Sequence, residues 1–244
     1  MLSVIIPTLN EEKLIAGLLS RFTPALRERF GLELIVTDGG STDRTLELCE
    51  GRVDQIVQHT GGERQTIGQG RNAGARVAQG EMLLFLNADV TLPSDLAGFL
   101  DALSAAVEEK GIATCRVQVH PDHATVADRL VLGTCDRIFW LFNRLGIGMG
   151  RGECHAVRRA LFEQVGGYDE RLIAGEDFDL YHRIAGLLRA EGERIPFLWE
   201  WTIYEDPRRY RELGYARTMW AWFTNTMSVT FRDRSYSEEW SVIR

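Results

Sequence analysis

The sequence predicts an α/β protein with a mostly parallel central sheet flanked by helices, followed by an irregular, helix-rich C-terminal third. Three observations lead there. Apolar runs of strand length alternate with helical stretches through the first 118 residues, as in a parallel sheet covered by helices on its faces. Two of these runs end at acids: residues 33–37 (ELIVT) lead into Asp38, and residues 82–86 (MLLFL) into Asn87-Ala88-Asp89. Beyond His120 the alternation breaks down. Ligands of open parallel sheets bind beyond the carboxyl ends of the strands, so two carboxylates there converge on one crevice. A nucleotide and its metal ion would sit in it.

Each element has a local reason. Residues 2–6 read as the first strand, ended by Pro7, and Asn10 reads as the N-cap of a helix whose first turn carries Glu11 and Glu12. Leu14, Ile15, Leu18, Leu19 and Phe22 form that helix's buried stripe. In DGGSTDRT, Asp38, Gly39 and Gly40 make a turn, and Ser41 or Thr42 caps a helix from near Asp43. Residues 53–57 read as a short strand, residues 65–78 as a helix with small residues along one side, and residues 81–86 as a central strand buried on both faces. Pro93 opens a helix reaching about Glu109, and residues 112–119 form a fifth strand. Further on, residues 128–145 suggest an amphipathic helix carrying an exposed-looking IFWLF, and GIGMGRG at 146–152 a mobile loop. Helices are expected over residues 159–165 and 177–190, and a last one bears Tyr215, Met219, Trp222, Phe223 and Thr226.

Bulk properties narrow the function. At 244 residues and 45% hydrophobic content the chain suits one large domain, and a net charge of -7 argues against a general nucleic-acid binder. Cys49, Cys115, Cys135 and Cys154 are scattered without metal-site spacing, which points to a reduced, cytoplasmic protein. The N-terminus enters LSVII at once with no signal-peptide pattern, and no apolar run approaches the ~20 residues of a membrane span. Trp140, Trp220 and Trp222 are expected to pack inside the fold. An alternative is that these aromatic segments, with Arg208, Arg209, Arg211 and Arg217, rest on an anionic membrane as a peripheral contact. Oligomeric state is left open.

The strand-end residues carry the chemistry. Asp89, two residues after Asn87, can hold a divalent cation whose other positions are filled by water and diphosphate oxygens. Such a cation neutralises the charge developing on a nucleoside-diphosphate leaving group. Equally, Asn87 and Asp89 can cap the helix after Pro93. Asp38 can be a plain turn former; together with Pro7, Thr8, Asn10 and Glu11 it makes a pocket suited to a base and ribose. Gly68-Gln69-Gly70-Arg71-Asn72-Ala73 matches a dinucleotide fingerprint, but polar HTGGERQT precedes it where a strand is required. Of the five histidines only His155, just after the glycine loop, is placed to approach a metal.

The joint pattern of IPTLNEE, VTDGGSTDRT and RNAGARVAQGEMLLFLNADV resembles the family 2 glycosyltransferases, and VRRALFEQVGGYDERLIAGEDFDLYHRI extends the resemblance to about residue 190. It implies a GT-A, Rossmann-like fold in one continuous domain: residues 1–118 as the nucleotide-sugar-binding half, residues 119–244 as the acceptor-binding half with the C-terminal helices. By this resemblance Pro7, Thr8, Leu9, Glu11, Asp38 and Gly40 contact the nucleoside. Arg71 and Asn72 line the same pocket, with Asn87 and Ala88 beside them. Asp89 is the acid that holds Mg2+ or Mn2+, and Asp177 is the catalytic base.

Asp177 also stands at a helix start, where the dipole lowers its pKa, so a neighbour such as Glu176 has to raise it again. Asn87 stands in place of an acid, and Leu9 in place of a common aromatic. No Q-x-x-R-W signature of processive members follows. The expected activity is inverting transfer from a nucleoside-diphosphate sugar to a hydroxyl or a lipid phosphate, with the glycan, lipid or small-molecule acceptor unknown. The rivals are a nucleotidyltransferase of similar architecture and a non-catalytic sugar-nucleotide-binding protein.

Overall fold

A computed structural model describes residues 1–232 and 234–237; residues 233 and 238–244, at the end of the expected acceptor half, lie outside the described residues. The chain runs β1 (Leu2–Thr8), α1 (Ile15–Ser20), α2 (Pro24–Phe30), β2 (Leu32–Asp38), α3 (Thr45–Cys49), β3 (Gln55–Gln58), α4 (Ile67–Val77) and β4 (Met82–Leu86). A two-residue β5 (Val90–Thr91), α5 (Leu96–Lys110), β6 (Ile112–Val119) and α6 (Val126–Arg144) follow. The rest is β7 (Cys154–Arg158), α7 (Arg159–Gln164), α8 (Glu176–Ala190), β8 (Phe197–Glu205), α9 (Arg208–Leu213) and α10 (Tyr215–Arg232).

The described strands form one mixed sheet in the order β3-β2-β1-β4-β7-β6-β8-β5. The expected parallel half is present, since β3, β2, β1 and β4 pair in parallel. β7 and β8 are additions to the sequence reading. β7 runs antiparallel between β4 and β6, and β8 pairs with β6 in parallel and with β5 antiparallel. Central strands are apolar on both faces because both are covered. Val4, Ile6, Leu34, Val36, Leu84 and Leu86 pack toward α1 and α5, while Ile5, Ile35, Leu83 and Phe85 pack toward α4 and α8. Small residues on α4 permit its close approach: a Cβ on Gly74 would lie 2.4 Å from Ile5 Cγ2.

Several local expectations change once long-range partners appear. Asn10 caps no helix; it adopts φ +57°, and α1 begins only at Ile15. Ser41 and Thr42 cap no helix either, for the Ser41 hydroxyl bonds Asp38, and α3 starts at Thr45. Asp95, not Asn87 or Asp89, caps α5 by accepting from Gly98 N. The fingerprint-like glycines lie inside α4, whose N-cap is Thr66, so no strand-to-helix turn is present there. Trp222 is partly buried beneath Arg151, whereas Trp140 and Trp220 are exposed. Among the described residues no helix is long and apolar enough to cross a membrane.

The 146–152 loop is seated rather than loose. Gly148 has φ +83°, and a Cβ there would meet the Tyr181 carbonyl oxygen at 2.3 Å. At Gly150 it would meet the Tyr181 ring at 2.1 Å, and at Gly152 the Arg71 guanidinium at 2.6 Å. Glycine is used for proximity, because backbone must lie directly on α8 and on Arg71. Gly150→Ala is therefore expected to destabilise the fold by about 1–3 kcal/mol through overpacking. A lowered urea midpoint at unchanged m-value would show it.

Candidate active site

The carboxyl ends of β1 and β2 lie side by side, with Thr8 opposite Asp38. Asp38 is buried, and its carboxylate accepts from Gly40 N and Ser41 N, each at 2.9 Å, and from the Thr8 hydroxyl at 3.3 Å. The segment after β1 is stitched to the turn after β2. Asn10 N donates to Ser41 Oγ at 2.8 Å, Thr42 N to Asn10 Oδ1 at 2.7 Å, and Glu11 N to Thr45 Oγ1 at 2.7 Å. These bonds hold Asn10 in a left-handed conformation that an L side chain otherwise avoids. Thr8, Glu11, Asp38 and Gly40 thus form one polar edge, with Pro7 and Leu9 on either side of Thr8 in the same segment.

Arg208 ties this edge to the end of β4. Its Nη2 donates to Glu11 Oε1 at 2.8 Å and to Asp89 Oδ2 at 3.0 Å. Asn87 and Ala88 lie between β4 and Asp89, and Asn87 N donates to the Glu153 carbonyl at 3.0 Å. Arg71, projecting from α4, is buried behind this point. It donates to Asn87 Oδ1 at 3.0 Å, to the Gly152 carbonyl at 2.6 Å and to Glu176 Oε1 at 2.9 Å. Asn72, the next residue, turns elsewhere: its amide bonds the Tyr168 carbonyl and Glu170 Oε1, both at 2.9 Å. Asp38 and Asn72 lie off the large cavity, and Glu11 reaches it through Arg208.

That cavity, about 510 Å³, is lined by the polar Asn87, Asp89, Glu153, Glu176, Asp177 and Arg208. Its apolar lining comes from Phe139, Phe142, Met149, Met219, Trp222 and Met227. Asp89 and Asp177 therefore share one cleft. Gly175, at φ +86°, turns the chain into α8 so that Glu176 and Asp177 open its first turn. Asp177 Oδ2 accepts from Gly152 N at 3.0 Å and Oδ1 from Phe178 N at 2.7 Å.

Charge is crowded here. Burial pushes the Glu176 carboxyl up to about 7, adjacent Asp177 pushes the same way, and Arg71 opposes both. Asp177 is raised as well, by burial first and then by Glu153 against the pull of Arg71. Burial and Glu153 thus offset the helix dipole at Asp177. Asp89 is raised by burial and Glu153 although Arg208 lies beside it, and Glu11 is raised mainly by burial. A second buried cation, Arg151, pairs with Glu153 at 3.0 Å and Glu205 at 2.6 Å.

Arg151, Glu153, Glu205 and Arg208 were not among the sequence candidates. Arg208 and Arg211, read as membrane-facing, are engaged within the protein, Arg211 with buried Asp128 at 2.5 Å. His155 lies within the sheet, bonded to the Tyr168 hydroxyl and absent from the cavity lining, so it is not placed as a metal ligand.

The residues fit a divalent ion only through a shared shell. Among the described residues no three His, Cys, Asp or Glu side chains are grouped to hold a metal. Asn87 Oδ1 is committed to Arg71, which leaves Asp89 as the carboxylate able to supply a bond. The raised carboxyls around Arg208 nevertheless favour added positive charge.

The family model for glycosyl transferase family 2 matches residues 3–166. The chain belongs to that family. This family 2 chain is 29% identical over 190 residues to a PGL/p-HBAD biosynthesis glycosyltransferase of Mycobacterium bovis, covering 74% of its own length and 68% of the relative's. It is 34% identical over 110 residues to the Staphylococcus aureus poly(ribitol-phosphate) beta-N-acetylglucosaminyltransferase TarS, spanning 41% of this chain and 18% of that one. Among solved structures it resembles the mannosyltransferase PcManGT of Pyrobaculum calidifontis, in complex with GDP-Man and Mn2+, with TM-score 0.62 at 22% identity over 90% of this chain and 59% of that chain. Glucosyl-3-phosphoglycerate synthase from Mycobacterium tuberculosis, in complex with Mn2+, UDP and glucosyl-3-phosphoglycerate, gives 0.59 at 21% identity, covering 94% of this chain and 78% of that chain. The family 2 chain spans 44% of the solved TarS chain. At these identities the solved structures show the fold, which is GT-A.

Removing Arg71 strands Glu176 beneath the cleft, and breaking a buried pair in this way costs about 3–5 kcal/mol. Folded Glu176 holds its proton up to about 7 against an ordinary 4.5, so its contribution to stability is complete below 4.5 and is lost as pH rises through 7. Arg71→Met should accordingly destabilise more at pH 8 than at pH 5, as read by urea unfolding at the two values.

Proposed function

We propose that this family 2 transferase moves a sugar from a nucleoside-diphosphate donor to an acceptor hydroxyl or phosphate with inversion. The observation that carries the reading is the shared cavity of about 510 Å³, which both Asp89 and Asp177 line. The first 118 residues would hold the donor, with the nucleoside along Pro7, Thr8, Leu9, Glu11, Asp38 and Gly40. Asn87 and Ala88 would carry it toward the cleft. Arg71 and Asn72 serve as positioning residues, because their side chains are spent on Glu176 and on the Tyr168 carbonyl.

Mg2+ or Mn2+ would be held through Asp89 and the donor's diphosphate, supplying charge neutralisation for the leaving group. The Mn2+ in the PcManGT and glucosyl-3-phosphoglycerate synthase complexes supports this choice. Arg208 adds a cation of the chain's own beside Asp89. Asp177 accepts one backbone N–H at each oxygen and keeps a lone pair for an acceptor hydroxyl, whose proton it takes as the anomeric carbon is attacked. A single displacement inverts that carbon and needs no nucleophile from the protein. With an acceptor already ionised, such as a phosphate, Asp177 orients it instead.

Asp177→Asn is expected to lower kcat for a hydroxyl acceptor by about 10²–10⁴-fold while nucleotide affinity holds. Near-normal transfer in that variant would remove Asp177 as base. Thermal shift against UDP-, GDP- and dTDP-sugars with and without Mn2+ identifies the donor first. Nucleotide binding without donor turnover would favour a sugar-nucleotide sensor, and pyrophosphate release from a triphosphate would favour a nucleotidyltransferase. For a hydroxyl acceptor kcat/KM should rise with pH as Asp177, whose carboxyl burial and Glu153 hold above its ordinary value, gives up its proton. Glu176→Gln should move that limb to lower pH by removing one of two adjoining negative charges.

A further inference from the structure

The two helices flanking the cavity, α6 and α10, have their polarity reversed. The inward side of α6 carries Asp128, Asp136 and Asn143, all buried. Each has work there: Asp128 receives Arg211, Asp136 receives Gln118 Nε2, and Asn143 fixes the Met149 backbone through two bonds of 2.7 Å. The outward side presents Val126, Leu130, Ile138, Trp140, Leu141 and Leu145, each 41–71% exposed. α10 shows the same tendency, with Thr218, Asn225 and Ser228 buried beside a single apolar residue, Val229, while Trp220, Phe223 and Phe231 are 65%, 55% and 78% exposed. With Met227 these three recur at positions i, i+3, i+7 and i+11, which is one stripe along a helix.

Every exposed charged side chain on the two helices is an arginine: Arg129, Arg137 and Arg144 on α6, Arg217 and Arg232 on α10. This occurs in a chain of net charge -7. The apolar face is continuous with the cavity, since Ile138 and Phe223 are both exposed and both line it. An apolar area of this kind is an interaction site rather than an ordinary surface. A second copy on a two-fold axis would bring together two faces whose exposed charges on these helices are all arginines, with no exposed acid on either helix to answer them. A surface that is apolar within and anionic at its boundary matches both features at once.

We propose that the α6–α10 face docks on an anionic lipid bilayer, so that the cavity mouth opens at the headgroups and the acceptor is an amphiphile drawn from the membrane. The docking stands on the surface alone; the acceptor's nature rests on the transferase reading. The full chain, sedimented with vesicles of phosphatidylcholine alone or with phosphatidylglycerol added, should bind the anionic vesicles and be released by salt.

The double variant Trp220→Ser, Phe231→Ser should lose vesicle binding. Arg137→Gln, Arg144→Gln, Arg217→Gln should weaken it about 10²-fold, from the attraction of each surface cation for anionic lipid. Both variants should keep UDP or GDP binding by calorimetry, which reports an intact fold. Equal sedimentation with both vesicle types, or with neither, overturns the docking, as does a dimer that forms without vesicles and disappears in the Trp220 variant. Vesicle binding by a chain that turns over no donor upholds the docking and removes the transferase reading instead.

Discussion

The Arg71 guanidinium is the interaction on which the site depends. From one buried point it holds the side chain after β4, a carbonyl of the glycine loop and the first carboxylate of α8. Those segments come from residues 87, 152 and 176, far apart in the chain, and a planar cation with several fixed donors can bind all of them at once. A lysine ammonium lacks that fork geometry. The pairing also leaves Glu176 with a partner but not with full compensation, so the carboxylates of the cleft hold their protons more tightly than free acids do. Placement and proton affinity have the same origin.

The glycine loop is the complement of this arrangement. Gly148 and Gly150 let backbone lie against Tyr181, and Gly152 brings a carbonyl onto Arg71 and an N–H onto Asp177. A loop read as loose from its composition is where two parts of the site are joined. Asp177 is consequently fixed from two sides, by its own helix and by a segment that precedes it by 25 residues.

Much of the first half was legible because its signals are local. β4 is a dense apolar run with clear ends, β6 alternates apolar residues with Thr114, Arg116 and Gln118, and the acids at the ends of β2 and β4 follow from strand length alone. β7 and β8 were missed for a physical reason. Cys154–Arg158 is five residues long directly behind a glycine loop, while Phe197–Glu205 places Glu200 between two tryptophans and meets β6 across an irregular register. Both are strands because distant partners accept their hydrogen bonds. Asn10 and Ser41 misled similarly, since cap chemistry is right for each but the partner lies about thirty residues away. The amphipathic pattern of α6 was visible, as was the exposed character of its IFWLF stretch; that Asp128, Asp136 and Asn143 turn inward was not, because that depends on Gln118, Arg211 and Met149. Arg151, Glu153 and Glu205 stand in no motif and meet only in the folded chain.

The short helix α9 has one further consequence. It carries Arg208 to Glu11 and Asp89, and its Tyr210 stacks on Tyr215 at 4.6 Å, at the start of α10, whose Met219 and Trp222 line the cavity. One six-residue turn therefore braces both the acids after β1 and β4 and the root of the last helix, so a substitution within it would be felt on both sides of the cleft.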